Sequence, residues 1–217
     1  VRWPSRRPTS LETESGFMGI RQFVSDTWCR VRHPKLSASF AIPSHLTHRE
    51  RVALHDLARA PGISAVVEIG SYLGASAAAF ACALRDTGKA TPRVYCVDTW
   101  NNDAMSDGNR DTMSAFRQNT QAFGGVIVPT RGWSTDVVGT IAARAGTIDL
   151  LFIDGDHSYE GCLADWQAYM PLLKPGAWVA FHDIGWAEGV QRVVAEQVRP
   201  RVRAQERLPN LWWGQLA

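Results

Sequence analysis

The stretch Ala65-Val66-Val67-Glu68-Ile69-Gly70-Ser71-Tyr72-Leu73-Gly74-Ala75-Ser76 decides the fold. A short apolar run passes through a glycine turn and leads directly into a helix, the opening move of a strand–helix–strand crossover. Gly70 and Gly74 allow the backbone to turn tightly and to approach a ligand where the helix begins. The spacing departs from GxGxxG, and the acidic Glu68 precedes the turn inside the strand. A dinucleotide pyrophosphate is thereby disfavoured, and a cationic amino-acid moiety favoured.

Downstream of this unit the texture repeats. Short apolar runs at Val94-Tyr95-Cys96-Val97, Val126-Ile127-Val128, residues 148–153 and residues 177–181 alternate with helical patterns. Near-continuous hydrophobic strands separated by helices specify a parallel sheet covered on both faces. The helical stripes Tyr159, Leu163, Trp166, Met170 and Val190, Val193, Val194, Val198 supply part of that cover. After Pro200, the stretches 201–207 and 211–216 flank Pro209-Asn210 and read as a terminal strand pair joined by a turn.

Upstream, Phe17, Ile20, Val24, Trp28 and Val31 form an apolar stripe at helical spacing. Thr47 and Glu50 have capping-box spacing and start a second helix that runs toward Pro61-Gly62. The fold class expected is therefore α/β, a doubly wound, mostly parallel sheet of seven strands with an N-terminal helical cap. Residues 1–62 form the cap and 63–217 the core, one structural domain overall, since 217 residues lie below the size at which single cores divide.

Composition narrows the function classes. With 45% hydrophobic and 20% charged residues and no apolar run near membrane-spanning length, the expectation is a soluble cytoplasmic protein without a membrane partner. The start does not resemble a signal peptide, and Val1 in place of Met points to a trimmed or renumbered beginning. A net charge of +2 is too weak to imply nucleic acid, and neither Arg2-Arg6-Arg7 nor Arg199-Arg201-Arg203-Arg207 sits in a nucleic-acid motif. Cys29, Cys82, Cys96 and Cys162 show no CxxC pairing and read as reduced core residues.

In an open parallel sheet, ligands bind beyond the carboxyl ends of the strands, near the point where strand order reverses. The second strand ends in Asp98-Thr99-Trp100, and a carboxylate there can accept hydrogen bonds from both hydroxyls of a ribose. Taken alone, Asp98 suits a turn cap as well; together with the glycine turn, ligand binding prevails. The third strand leads into Arg131-Gly132-Trp133-Ser134, where Gly132 and Trp133 can flank an aromatic base and Ser134 is better placed to cap the next helix. The fourth ends in Asp154-Gly155-Asp156-His157-Ser158-Tyr159-Glu160 and the fifth in Phe181-His182-Asp183. Two adjacent strand ends thus bring Asp154, Asp156, His157, His182 and Asp183 toward one point, an oxygen-rich set suited to Mg²⁺, Mn²⁺ or Ca²⁺. The bland alternative makes Asp156 or Ser158 a helix cap and His182 a core histidine. Of the nine tryptophans, Trp100, Trp133 and Trp186 are placed for a ligand, whereas Trp166, Trp178, Trp212 and Trp213 are read as packing.

On these segments, together with Leu173-Lys174-Pro175-Gly176, the chain resembles the class I S-adenosylmethionine-dependent methyltransferases over Ile63 to Gly185. More narrowly, it is similar to the metal-dependent O-methyltransferases of macrolide, aminocoumarin and other natural-product sugars. The resemblance implies the Rossmann-like fold of that class, with the methionine part of the cofactor near Glu68, Gly70 and Ser71, and with Gly74 and Ser76 in the same turn. It implies Asp98 on the ribose beside Thr99 and Trp100, and the Arg131–Ser134 turn at the adenine. It also implies Mg²⁺ or another divalent cation at Asp154 and an acidic pair after the fifth strand, with a base at Asp156 or His157. Here that pair is His182-Asp183, and a histidine for one carboxylate softens the site.

The activity expected is methylation of a hydroxyl on a small-molecule acceptor, a natural-product sugar first and a phenol or catechol second. The metal would stabilise the developing alkoxide and His157 would accept the proton. The short chain leaves open a reduced cap or one completed by another subunit, that is, a homo-oligomer. A nicotinamide-dependent oxidoreductase shares the ribose-binding acid but lacks its glycine fingerprint here. A non-catalytic nucleoside-binding module would not need the acid and histidine cluster.

Overall fold

The computed structural model describes residues 24–88, 91–102 and 108–217. The described chain opens with helices: α1 over residues 24–32, α2 (Ser37–Ala41) and α3 (His48–Ala58). Strands and helices then alternate as β1 (Ala65–Ile69), α4 (Ala75–Asp86), β2 (Arg93–Asp98), α5 (Met113–Thr120), β3 (Ile127–Arg131), α6 (Ser134–Ala145), β4 (Ile148–Ile153), α7 (Tyr159–Tyr169), β5 (Leu173–His182) and α8 (Glu188–Val193). The terminal pair β6 (Val202–Arg207) and β7 (Leu211–Leu216) completes a seven-stranded sheet in the order β3-β2-β1-β4-β5-β7-β6. Neighbours from β3 through β5 run parallel, and β7 is antiparallel to both β5 and β6. Strand order reverses between β1 and β4, which fixes where the ligand crevice opens.

The alternation of side chains along β1 explains the two cores. Val66 faces α2, α3 and the alanine-rich α4, while Val67 and Ile69 face α6, α7 and α8. Ten residues of α4 are buried, and its run of alanines lets it lie close against the sheet beneath α3. The capping box at the start of α3 is present: the Thr47 hydroxyl accepts from the Glu50 N–H, and Glu50 accepts from the Thr47 N–H at 2.7 Å. Arg51 ties the segment before α3 together by donating to the carbonyls of Ser39, Ile42 and Leu46, and burial lowers its pKa to about 10.

All four cysteines are free and buried, as expected. The basic residues Arg199, Arg201, Arg203 and Arg207 are exposed on and before β6, the sheet's edge strand, where charge discourages edge pairing. No helix among the described residues is long and apolar enough to cross a membrane.

The N-terminal apolar stripe requires correction. Phe17 and Ile20 lie outside the described residues, and Val24, Trp28 and Val31 are 60%, 55% and 76% exposed. The helix meets the core through Cys29 instead, one residue off the stripe, because α2 and α3 occupy the side on which Leu36 and Phe40 are buried.

Candidate active site

The carboxyl ends of β1, β2 and β4 are linked by backbone bonds from Gly70 N–H to Val97 and from Asp154 N–H to Ile69, both 2.9 Å. This close approach requires Gly70, whose φ is +85° and whose absent Cβ would fall 1.9 Å from the Asp154 carbonyl oxygen. Gly74, at φ +91°, then starts α4 with its own face against Thr120 and Phe116.

Behind this turn Glu68 is fully buried, and neither carboxyl oxygen has a partner of hydrogen-bonding geometry among the described residues. The Ser71 hydroxyl is likewise buried and unpartnered. Burial raises the Glu68 pKa to about 7, against the pull of the nearby Ser76 and Ser71 hydroxyls and the Cys96 thiol. Folded Glu68 therefore keeps its proton between pH 4.5 and about 7 after the unfolded chain has lost it, so its contribution is full below 4.5 and disappears as pH rises through 7. Chemical denaturation should show this as stability falling by about 3 kcal/mol across that window, with the fall flattened in Glu68→Gln.

Asp98 takes the turn-capping role that its position also allows. Its Oδ2 accepts from the Tyr72 N–H at 2.8 Å and its Oδ1 from the Trp100 N–H at 2.6 Å, yet the side chain stays partly exposed. It braces the glycine turn as a cap. Thr99 accepts from the Asn101 N–H. Trp100 is not a ligand-facing residue: it is fully buried, packs on Phe116 at 4.8 Å and donates from Nε1 to the Tyr72 carbonyl.

At the end of β3, Gly132 donates to the Asp98 carbonyl and Trp133 is 60% exposed. Ser134 does not cap α6, whose N-cap is Trp133; its hydroxyl donates instead to the buried Asp165, and the Tyr169 hydroxyl donates to its carbonyl. Asp165 therefore reaches this loop from α7, a contact between distant helices that sequence spacing cannot show.

The strongest concentration of polar groups lies beyond β4 and β5. Asp154, His182 and Asp183 come together as expected, one ligand-type atom of each lying within 4.8 Å of the others. His182 Nδ1 lies 3.0 Å from Asp154 Oδ1 and 3.3 Å from Asp183 Oδ1. Asp183 Oδ1 also accepts from Trp186 Nε1 at 2.7 Å and Asn210 Nδ2 at 2.9 Å, and its Oδ2 pairs with His157 Nε2 at 2.8 Å. Asp183 sits at φ +59°, a left-handed conformation that aspartate tolerates better than most non-glycine residues. Trp186 is 60% exposed and meets the His157 ring edge-on at 4.9 Å.

Charges follow from these contacts. Burial opposes ionisation of Asp183, but His157, His182 and Asn210 hold its carboxyl well below the usual range. Burial likewise opposes charging His182, yet Asp154, Asp183 and Glu50 push it up to about 12. Asp154 is raised by its burial. His157 is raised by its bond to Asp183, with burial opposing.

Two participants escaped the sequence reading. Glu50 was explained fully as half of a capping box, but its Oε2 also lies 3.7 Å from His182 Nε2. Asn210 read as a turn residue, yet it spans Gly185 N–H, Asp183 and His182. Asp156 stands at the margin: exposed, it accepts from the Ser158 N–H, while Ser158 caps α7 by accepting from Gly161.

The donor set suits Mg²⁺ poorly. That ion demands a near-octahedral shell of oxygens and keeps several waters. Here both oxygens of Asp183 already receive donors, and Asp154 Oδ1 faces a ring nitrogen. A groove of about 460 Å³ between Trp28, Ala53, Trp178 and Trp213 shares no residue with this cluster and brings no comparable set of polar groups together.

Known proteins agree with the architecture. The uncharacterized protein y4gI of Sinorhizobium fredii is 29% identical over 160 residues, covering 69% of this chain; the chain spans only 17% of that protein. The O-methyltransferase NovP superposes with a TM-score of 0.65 at 18% identity, over 81% of this chain and 83% of its own. An O-methyltransferase from Bacillus cereus in complex with SAH gives 0.65 at 18% identity, over 92% and 97%. At these identities the likeness establishes the fold. A family model described as a methyltransferase domain matches residues 67–184, more than half of the chain, and the chain belongs to that family.

Proposed function

We propose that this protein transfers a methyl group from S-adenosylmethionine to a hydroxyl of a small molecule, a sugar hydroxyl first and a phenolic one second. The observation that carries the reading is the pairing of His157 with Asp183 beyond β5, at the same carboxyl edge of the sheet as the glycine turn and Asp98. The structure of an O-methyltransferase with SAH bound and the shared fold support the choice of cofactor.

The buried, unpartnered oxygens of Glu68 and Ser71 fit the methionine end of that cofactor, where an ammonium group would relieve them. Asp98 would accept from the ribose hydroxyls, and Gly132 and Trp133 would border the adenine. When bound, the cofactor supplies a methyl carbon already made electrophilic by its sulfonium. The chain's own task is to place a hydroxyl in line and take its proton. His157 donates from Nε2 to Asp183, which fixes its tautomer and leaves Nδ1 to accept that proton. The exposed Trp186 borders His157 and would shield the reacting groups from water. We assign to residues 1–62, of which 24–62 are described, the role of a cap over the acceptor, with residues 63–217 as the catalytic core.

Isothermal titration with S-adenosylhomocysteine, with NAD as a control, tests the reading: saturable binding of the former alone is expected, and no binding overturns it. In the same experiment Asp98→Ala should lower affinity by about 10- to 100-fold, the scale of hydrogen bonds to a charged group. Because Asp98 also braces Tyr72 and Trp100, a melting curve must accompany it; a folded variant with unaltered affinity removes the ribose assignment.

A further inference from the structure

Three carboxylates, from Asp154, Asp183 and Glu50, converge on the two nitrogens of one imidazole whose side chain is 2% exposed. Clustered acids at such a depth repel one another and need a compensating charge or donor. A divalent ion is one such compensation. Here the space between the Asp154 and Asp183 carboxylates is filled by His182 Nδ1, 3.0 Å and 3.3 Å from them. To bond two carboxylate oxygens at once, that nitrogen must carry a hydrogen, and a protonated ring nitrogen offers no lone pair to a metal.

The rest of Asp183 is equally committed. Trp186 and Asn210 donate to Oδ1 and His157 to Oδ2, so a cation would have to displace three of the protein's own donors. Asn210 is itself fixed, since its carbonyl accepts from the Gly185 N–H while its amide reaches Asp183 and His182. Gly185 is packed so closely, 2.7 Å from an added Cβ to the Pro209 carbonyl, that this brace has little room to move.

We infer that His182 stands in for the divalent cation: its Nδ1–H joins Asp154 to Asp183, and the cluster binds no metal. His182 is then a positioning residue. It fixes Asp183, and through Asp183 the orientation of His157. The inference rests on the methyltransferase reading for the use made of His157, but its test does not.

The test is a titration of the full chain with Mn²⁺, followed by the loss of the free-ion electron paramagnetic resonance signal, with and without S-adenosylhomocysteine. The wild-type chain should leave the signal unchanged up to ~1 mM, the weak end of biological divalent-cation sites. Stoichiometric uptake that disappears in Asp183→Asn overturns the inference. Replacement of the imidazole by a third carboxylate, His182→Asp, should create a saturable site, with melting curves reporting that the variant folds. A folded His182→Asp chain that takes up no Mn²⁺ also overturns it. If that variant does not fold, the wild-type titration alone decides. Affinity for S-adenosylhomocysteine measured in EDTA separates the two readings: its absence defeats the methyltransferase proposal and leaves the Mn²⁺ result to stand by itself.

Discussion

Alanine at position 157 is expected to lower turnover by ~10²–10⁴-fold, the usual scale for losing a positioned general base, while affinity for S-adenosylhomocysteine is unchanged. The separation follows from geometry: His157 is bonded to Asp183 beyond β5, whereas the groups assigned to the cofactor lie at the ends of β1, β2 and β3. Single-turnover rates with an acceptor found by screening would measure the first effect, and calorimetry the second. Unchanged turnover removes His157 from the role. The pH profile gives an independent reading. His157 accepts a proton only when neutral, and its bond to Asp183 raises its pKa above 6.5, so turnover should rise with pH through a midpoint above that value. Asp183→Asn should move the midpoint down. The same pairing stabilises the fold below pH 6.5, and that contribution is lost as pH rises through the raised pKa.

Gly70→Ala should be the most damaging single methyl in the molecule, costing more than ~4 kcal/mol in denaturant unfolding and abolishing cofactor binding. An added Cβ would lie 1.9 Å from the Asp154 carbonyl oxygen and 2.5 Å from its carbon, backbone atoms that cannot step aside while β1 and β4 remain paired. The left-handed φ of +85° adds its own penalty. Gly139→Ala in α6 serves as the contrast. Nothing lies within 4 Å of its added Cβ, the helix accommodates alanine, and stability should rise by about 0.5–1 kcal/mol. If Gly70→Ala unfolded no more easily than Gly139→Ala, the close approach of β1 to β4 would be disproved.

Much of the candidate site was legible because it follows strand ends, and strand ends are local events. The five central strands were visible as apolar runs, the crossover as a glycine turn, and the reversal of strand order then carried Asp98, Asp154, His157 and Asp183 to one edge of the sheet. Side-chain direction was harder to read. Trp100 lies two residues after Asp98, but its φ is +50° and its indole packs inward onto Phe116. Ser134 has the composition of a cap, and a carboxyl on α7 takes its hydroxyl instead.

The sequence by itself determined the doubly wound sheet, the capping box at Thr47 and Glu50, the terminal strand pair and the residue types at each strand end. Those depend on periodicity and turn chemistry, which act over a few neighbouring residues. Only the tertiary structure decided what those residues do to one another. Glu50 reaches His182 across 132 positions of chain and Asn210 reaches Asp183 across 27, and neither distance leaves a periodic trace. The commitment of Asp183 to four donors, which turns an apparent metal pair into a hydrogen-bonded one, exists only because the antiparallel β7 brings the turn at Asn210 back beside the end of β5.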